Sequence, residues 1–121
     1  MKIQNFTDLN CWQKGHALLL LVYKATSRFP ASEQFGLTSQ IRRAVLSITS
    51  NIAEGFGRSS LREKVQFYNI ALGSVVEVQN QLIASRDLGL IEKKNFDLAW
   101  ELTIETHKMI NGLIKSLKSS Y

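Results

Sequence analysis

The sequence predicts an all-α protein, an antiparallel up-down-up-down four-helix bundle. Three observations carry that expectation. The 121 residues hold one proline and seven glycines, too few breakers to divide the chain into short strands and turns. Between those breakers, four long stretches repeat apolar residues at the helical period. Each stretch is bounded by residues suited to starting or stopping a helix. A chain of this length can bury about two thirds of its unfolded surface, enough for one domain with its own core.

Helix one is expected over residues 9–28, with Asp8 as its N-cap and Arg28 in the last turn, where a cation suits the helix dipole. A loop carrying Pro30, Ala31, Ser32 and Gly36 follows. Helix two is expected over 37–54, closed by Gly55 and Gly57, which can supply the left-handed backbone of a C-cap. Ser60-Leu61-Arg62-Glu63 reads as a capping box, the sharpest local signal in the chain, and opens helix three over 61–88. Gly89 ends it, and helix four runs over 93–118 with Lys115 and Lys118 at its carboxyl end. Short joints between four such helices give antiparallel neighbours.

Placing residues at helical steps gives helix two one clean stripe, Leu37, Ile41, Ala44, Val45, Ile48 and Ile52, with Arg43, Ser47, Ser50 and Glu54 opposite. Helix four has two bands. Phe96, Trp100, Thr103, His107, Ile110, Ile114 and Leu117 form one, and Leu98, Leu102, Met109 and Leu113 form a second, about 120° away. In helix one, Leu18 to Val22 is a consecutive apolar run that covers the cylinder almost all round. Helix three shows Val65, Tyr68, Leu72, Val75, Gln79 and Leu82 on its core side, with Phe67, Ile70, Ala71 and Val78 elsewhere. Surplus apolar faces on three helices point to self-association.

Residue chemistry points to no catalytic site, metal or cofactor. The two histidines, His16 and His107, have no Glu-x-x-His partner, which excludes a di-iron carboxylate bundle, and His107 falls on the core stripe of helix four. Cys11 is the only cysteine, so there is no disulfide framework or CxxC site, and it reads as a small buried apolar residue of a reducing, cytoplasmic setting. The longest apolar run, Ala17 to Tyr23, is too short to span a bilayer, so no membrane role is expected. Ser47, Ser50, Ser59 and Ser60 lack a nucleophile-elbow setting, and no lysine follows Gly55 and Gly57 as a phosphate loop would require.

Charge says more than any single residue. The formal net charge is +5, and between Gly36 and Arg62 stand Arg42, Arg43, Arg58 and Arg62 against Glu54 alone. After Glu105 come Lys108, Lys115 and Lys118 with no acid. Arginine's planar fork matches phosphate, so these segments suit a nucleic-acid backbone. A symmetric assembly would repeat each basic patch and turn several weak phosphate contacts into one salt-sensitive footprint.

The run Phe35-Gly36-Leu37-Thr38-Ser39-Gln40-Ile41-Arg42-Arg43-Ala44, continued through Ser50-Asn51-Ile52-Ala53-Glu54-Gly55 to Gly57-Arg58, closely resembles the signature of a bacterial four-helix bundle family. That family includes proteins encoded in intervening sequences of 23S ribosomal RNA genes, and the accessory protein of diversity-generating retroelements is related to it. Trp12-Gln13-Lys14 with His16, Phe29-Pro30, Ile70-Ala71 with Gly73-Ser74, Leu88-Gly89 and Gly112 to Leu117 extend the likeness over nearly the whole chain. Two positions depart from the pattern: Thr49 stands where proline is common, and Gly15 where alanine is usual. The resemblance implies a homopentameric ring without established enzymatic activity. Its matching polar residues are Ser39, Gln40, Arg42, Arg43, Ser50, Asn51, Glu54, Gly55 and Arg58, with packing between subunits and contact with nucleic acid equally open as their roles.

The expectation is therefore a non-enzymatic, oligomeric helical scaffold that binds nucleic acid, RNA in preference to DNA, by neutralising phosphates. The residues expected to do so are Lys14, Arg42, Arg43, Arg58 and Arg62. The alternative is a protein-interaction scaffold that recruits a partner such as a reverse transcriptase, with no direct role on nucleic acid.

Overall fold

Side-chain caps mark the start of some of the helices and not of others. The computed structural model describes residues 2–120 and contains four long helices, α1 (Asn10–Thr26), α2 (Leu37–Gly57), α3 (Leu61–Asp87) and α4 (Lys93–Ser120). Two short 3-10 turns, Phe6–Asp8 and Ala31–Glu33, precede α1 and α2, and there is no strand among the described residues. Asp8 does not cap α1. Its carboxylate accepts the backbone N–H groups of Gln4 and Asn5 at 3.0 and 3.1 Å and closes the first 3-10 turn, which leaves Leu9 at the start of α1 with no side-chain cap. At α2 the cap comes from outside the helix, because Glu33 Oε1 accepts the Leu37 N–H at 3.1 Å.

The far end of α2 differs from the sequence expectation in a way that matters for packing. Gly55 and Gly57 lie within the helix and neither has a positive φ; among the described residues only Gly89 does, at +72°. The last carbonyls of α2 are met instead by a lysine, with Lys64 Nζ donating to Phe56 O at 2.8 Å and Gly55 O at 3.3 Å. A cation there also suits the negative end of the helix dipole. Ser60 caps α3 by accepting the Glu63 N–H at 3.1 Å, and the returning Glu63 carboxylate meets the Ser60 hydroxyl rather than its backbone. Gly89 stops α3 with the left-handed turn that glycine adopts without steric cost, donating to Arg86 O while Leu90 donates to Ser85 O. Arg28 lies beyond α1 and pairs with Glu92 across the two loops at 2.9 Å.

Each helix packs on two neighbours in the cyclic order α1, α2, α3, α4, with α2 and α3 most closely joined and α4 closing back on α1. The core is built from Leu18, Val22, Ile41, Val45, Ile48, Ile52, Tyr68, Val75, Val78, Leu82, Ile110 and their neighbours. Burying side chains of this size stabilises by roughly 1.5–3 kcal/mol each. In α4 the buried line is Ala99, Thr103, Thr106, Ile110 and Ile114. Thr103, Ile110 and Ile114 of the first band read from the sequence lie on that line, and the other residues of both bands flank it as half-buried side chains, apart from exposed Leu98. His107 is therefore on a flank and not in the core. Ala71 and Val78 of α3 are core residues too, and in α1 Leu18 and Val22 are buried while Leu20 is exposed. One bundle thus uses most of the apolar surface that had pointed to a neighbouring copy.

Two glycines permit close approach. A Cβ on Gly55 would lie 2.6 Å from Tyr68 Cε1, so the aromatic ring occupies the space a side chain would need. A Cβ on Gly15 would come within 3.2 Å of both Ile48 Cγ2 and Thr49 Cγ2. Gly15 and Thr49, each unusual by the family signature, are thus neighbours across α1 and α2.

Candidate nucleic-acid interface

The five expected site residues divide by what their side chains already hold. The exposed residues Arg43, Ser50 and Glu54 of α2 follow at spacings that keep them on one side of the helix, the side away from Ile41, Ile48 and Ile52, and Arg58 comes just past its last residue in extended backbone. Arg43 and Arg58 are separated by about 22 Å at the helical rise per residue. Arg58 pairs with Glu54 at 3.0 Å, and its guanidinium carbon lies 4.7 Å above the Phe67 ring. Arg62, exposed in the first turn of α3, shares that end of the bundle. Arg43 lines a shallow groove between α2 and α3 together with Gln40, Ala44, Ser47 and Glu77. These three arginines form an elongated basic strip along α2 and the start of α3.

Lys14 and Arg42 are occupied within the fold. Lys14 bridges α1 to Glu105 of α4 at 2.9 Å. Arg42 donates through Nε to the Thr26 hydroxyl at 2.8 Å and through a terminal nitrogen to Tyr23 O at 3.2 Å, with its guanidinium 4.5 Å over the Tyr23 ring. Thr26 in turn donates to Val22 O at 2.7 Å. The guanidinium fork thus staples α2 to the last turn of α1. Lysine cannot reproduce the fork or stack as flatly. Arg42→Lys should therefore lower stability by about 1–2 kcal/mol in urea unfolding, and an unchanged midpoint would refute the staple.

The remaining signature residues also separate. Asn51 Nδ2 donates to Ser47 O at 2.8 Å and to Ser47 Oγ at 3.0 Å, and the Ser47 and Ser74 hydroxyls share a 2.8 Å hydrogen bond between α2 and α3. Ser39 donates to Gly36 O at 3.2 Å and closes the first turn of α2. Asn51 and Ser39 are thus engaged within the bundle. Gln40, Ser50 and Glu54 are exposed with the outer arginines.

No nucleophile is activated at Cys11. Burial pushes its thiol up to about 11, against lowering hydrogen bonds from its own and the Trp12 backbone, so it is protonated at neutral pH. Tyr68 is pushed up to about 12, first by burial and then by the proximity of Cys11. His16 stacks on Trp12 at 4.7 Å between ring centroids, and Trp12 meets Phe6 edge-on at 5.6 Å. Among the described residues, no cluster of three or more His, Cys, Asp or Glu side chains could hold a metal ion, and no helix is long and apolar enough to cross a membrane.

A second group of donors escaped the sequence reading. Gln79, Ile104, His107, Lys108 and Asn111 line a cleft between α3 and α4. Asn111 Nδ2 lies 3.2 Å from His107 Nδ1. The four-residue spacing of His107 and Asn111, with Lys108 between them, was the available signal, obscured by assigning His107 to the core.

Residues 7–112 match the family model described as 23S rRNA-intervening sequence protein. The chain belongs to that family. The chain is also similar in structure to a protein of unknown function from the S23 ribosomal protein family of Bacteroides thetaiotaomicron, solved by crystallography. The two share 22% identity and superpose with a TM-score of 0.77 over 87% of this chain and 98% of the other, a likeness of fold. No curated protein matches the sequence. The family match takes in the whole of α1, α2 and α3 and most of α4, so the basic strip and the α3–α4 cleft both lie within it.

Proposed function

We propose that this protein is a non-enzymatic, oligomeric helical scaffold that binds nucleic acid, RNA in preference to DNA, through a repeated basic surface. The observation that carries the reading is the exposed strip of Arg43, Arg58 and Arg62, in which Glu54 is paired with Arg58. Phosphate contacts of this kind neutralise charge and release counterions, so binding is strong at low salt and weak at high salt. A rigid bundle reads the shape and charge of structured RNA more readily than its base edges. The family's description names an intervening sequence of 23S rRNA, which makes a 23S rRNA fragment the first RNA to test.

Assembly multiplies the strip. Exposed Leu20, Leu46, Ile70 and Leu98 offer apolar area for contact between copies, and a closed ring of five would present fifteen such arginines. Titration into a labelled 23S rRNA fragment should give tight binding at low salt that collapses as salt rises; no binding at low salt would overturn the reading. Light scattering should return a multiple of 13.7 kDa, near five, and a monomer mass would remove the multivalency.

A second reading is favoured by Phe35, which is 90% exposed on the loop before α2. Backbone hydrogen bonds from Glu33, Gln34 and Gly36 order that loop, so the exposed aromatic side chain projects from a defined turn. Such an anchor suits a protein partner, a reverse transcriptase being one candidate. On that reading, Phe35→Ser would abolish co-purification of the partner and leave RNA affinity unchanged.

A further inference from the structure

We propose that the cleft between α3 and α4 lined by Gln79, Ile104, His107, Lys108 and Asn111 is a phosphate-binding site, separate from the arginine strip. The identification of a nucleic-acid phosphodiester as its natural occupant rests on the function proposed above; the site itself does not.

Hydrogen bonding fixes the polarity of the cleft. An amide nitrogen only donates, so Asn111 Nδ2 at 3.2 Å from His107 Nδ1 makes Nδ1 the acceptor. The neutral imidazole then carries its proton on Nε2, as a donor. Gln79 is held in a similar way. Its amide nitrogen donates one hydrogen to the Thr103 hydroxyl at 3.1 Å, and that hydroxyl donates to Trp100 O at 2.6 Å, which leaves the second amide hydrogen free to bond a ligand. Lys108 adds a full positive charge beside them. The lining therefore offers donors from four residues, Gln79, His107, Lys108 and Asn111.

Acids are absent from that lining. Glu105 of α4 turns to the α1 side, where it binds Lys14, and Glu77 of α3 lines the groove shared with α2. The titratable groups in the cleft are His107 and Lys108, both on α4, and the contribution of α3 is the neutral Gln79. A cleft of about 400 Å³ has room for a phosphate and part of an attached sugar or base, and half-exposed Ile104 supplies an apolar wall. The charge-assisted bond from Lys108 would be the strongest contact to an anion there, with neutral donors from His107 and Gln79 beside it.

The test uses the full chain and two probes. Inorganic phosphate titrated against the ring-nitrogen NMR signals of His107 at one fixed pH should shift Nε2 saturably. Lys108→Gln, an exposed change that leaves the packing intact, should weaken that binding about tenfold. A short oligouridylate that displaces the phosphate identifies a nucleic-acid backbone as the source, and one that does not identifies a free phosphate; either supports the site. If phosphate leaves His107 unmoved while RNA still binds, the site is overturned and the proposed function stands. If neither probe binds, both fall.

Discussion

Gly55→Val should destabilise the protein by about 3 kcal/mol or more, the largest effect expected from any single small-to-large change in the chain. Ordinarily glycine inside a helix is a cost of up to about 1 kcal/mol relative to alanine, and replacing it would help. Here the added Cβ would lie 2.6 Å from Tyr68 Cε1 and 2.9 Å from Tyr68 Cδ1, and the Tyr68 side chain is buried and cannot swing clear. The ring or the α2–α3 spacing must shift, and either change spreads strain into the closest helix pair. Urea unfolding measures the loss, with an unchanged slope showing that the native state is still compact. A double-mutant cycle makes the cause testable. Tyr68→Leu alone opens a cavity and destabilises, yet in that background the Gly55 substitution should cost much less, with a coupling of about 1–3 kcal/mol. Equal penalties in both backgrounds would show that the aromatic ring is not the obstacle.

Reversing charge at Arg43, Arg58 and Arg62 together should reduce RNA affinity by at least about a hundredfold at low salt and flatten the salt dependence by two to three log units per log unit. All three are exposed, and the Arg58–Glu54 pair is a surface ion pair of the kind worth less than about 1 kcal/mol. The triple variant should therefore melt close to the parent, which separates a lost contact from a lost fold. Arg42 is deliberately left out, because its guanidinium holds the Tyr23 carbonyl and the Thr26 hydroxyl. Undiminished binding by the triple variant would remove the arginine strip as the interface.

Helix two was the most legible element: Ile41, Ala44, Val45, Ile48 and Ile52 are all buried, as the single apolar stripe implied. Helix four misled because its buried line passes through Thr103 and Thr106, whose hydroxyls are satisfied by the Trp100 and Leu102 carbonyls of their own helix. The sequence reading placed Thr103 in the first band but left out Ala99 and Thr106, the small and polar residues between the bands, so it split one face into two. Gly55 was legible as special but for the wrong reason, since a glycine at a helix end signals a turn and a close crossing equally well. Gly15 and Thr49 were each conspicuous against the family signature, while the 3.2 Å approach that links them is a tertiary contact no linear pattern records. The arginines of the site were visible as residues. Which of them are free depends on partners sixteen residues away for Arg42 and across the bundle for Lys14.

The closure of α4 on α1, pinned by Lys14 and Glu105, has a consequence for how the bundle assembles and opens. Helices α2 and α3 meet through a turn of three residues, so their contacts close short loops, whereas the α1–α4 seam joins segments from opposite parts of the sequence. Loop-closure entropy makes that seam the more expensive to form. The hairpin of α2 and α3, latched by Ser47, Ser74 and Asn51, is accordingly the natural nucleus, and the α1–α4 seam is where the closed bundle would first part. The arginine strip lies on the nucleus, so a transient opening of the seam would leave its spacing intact.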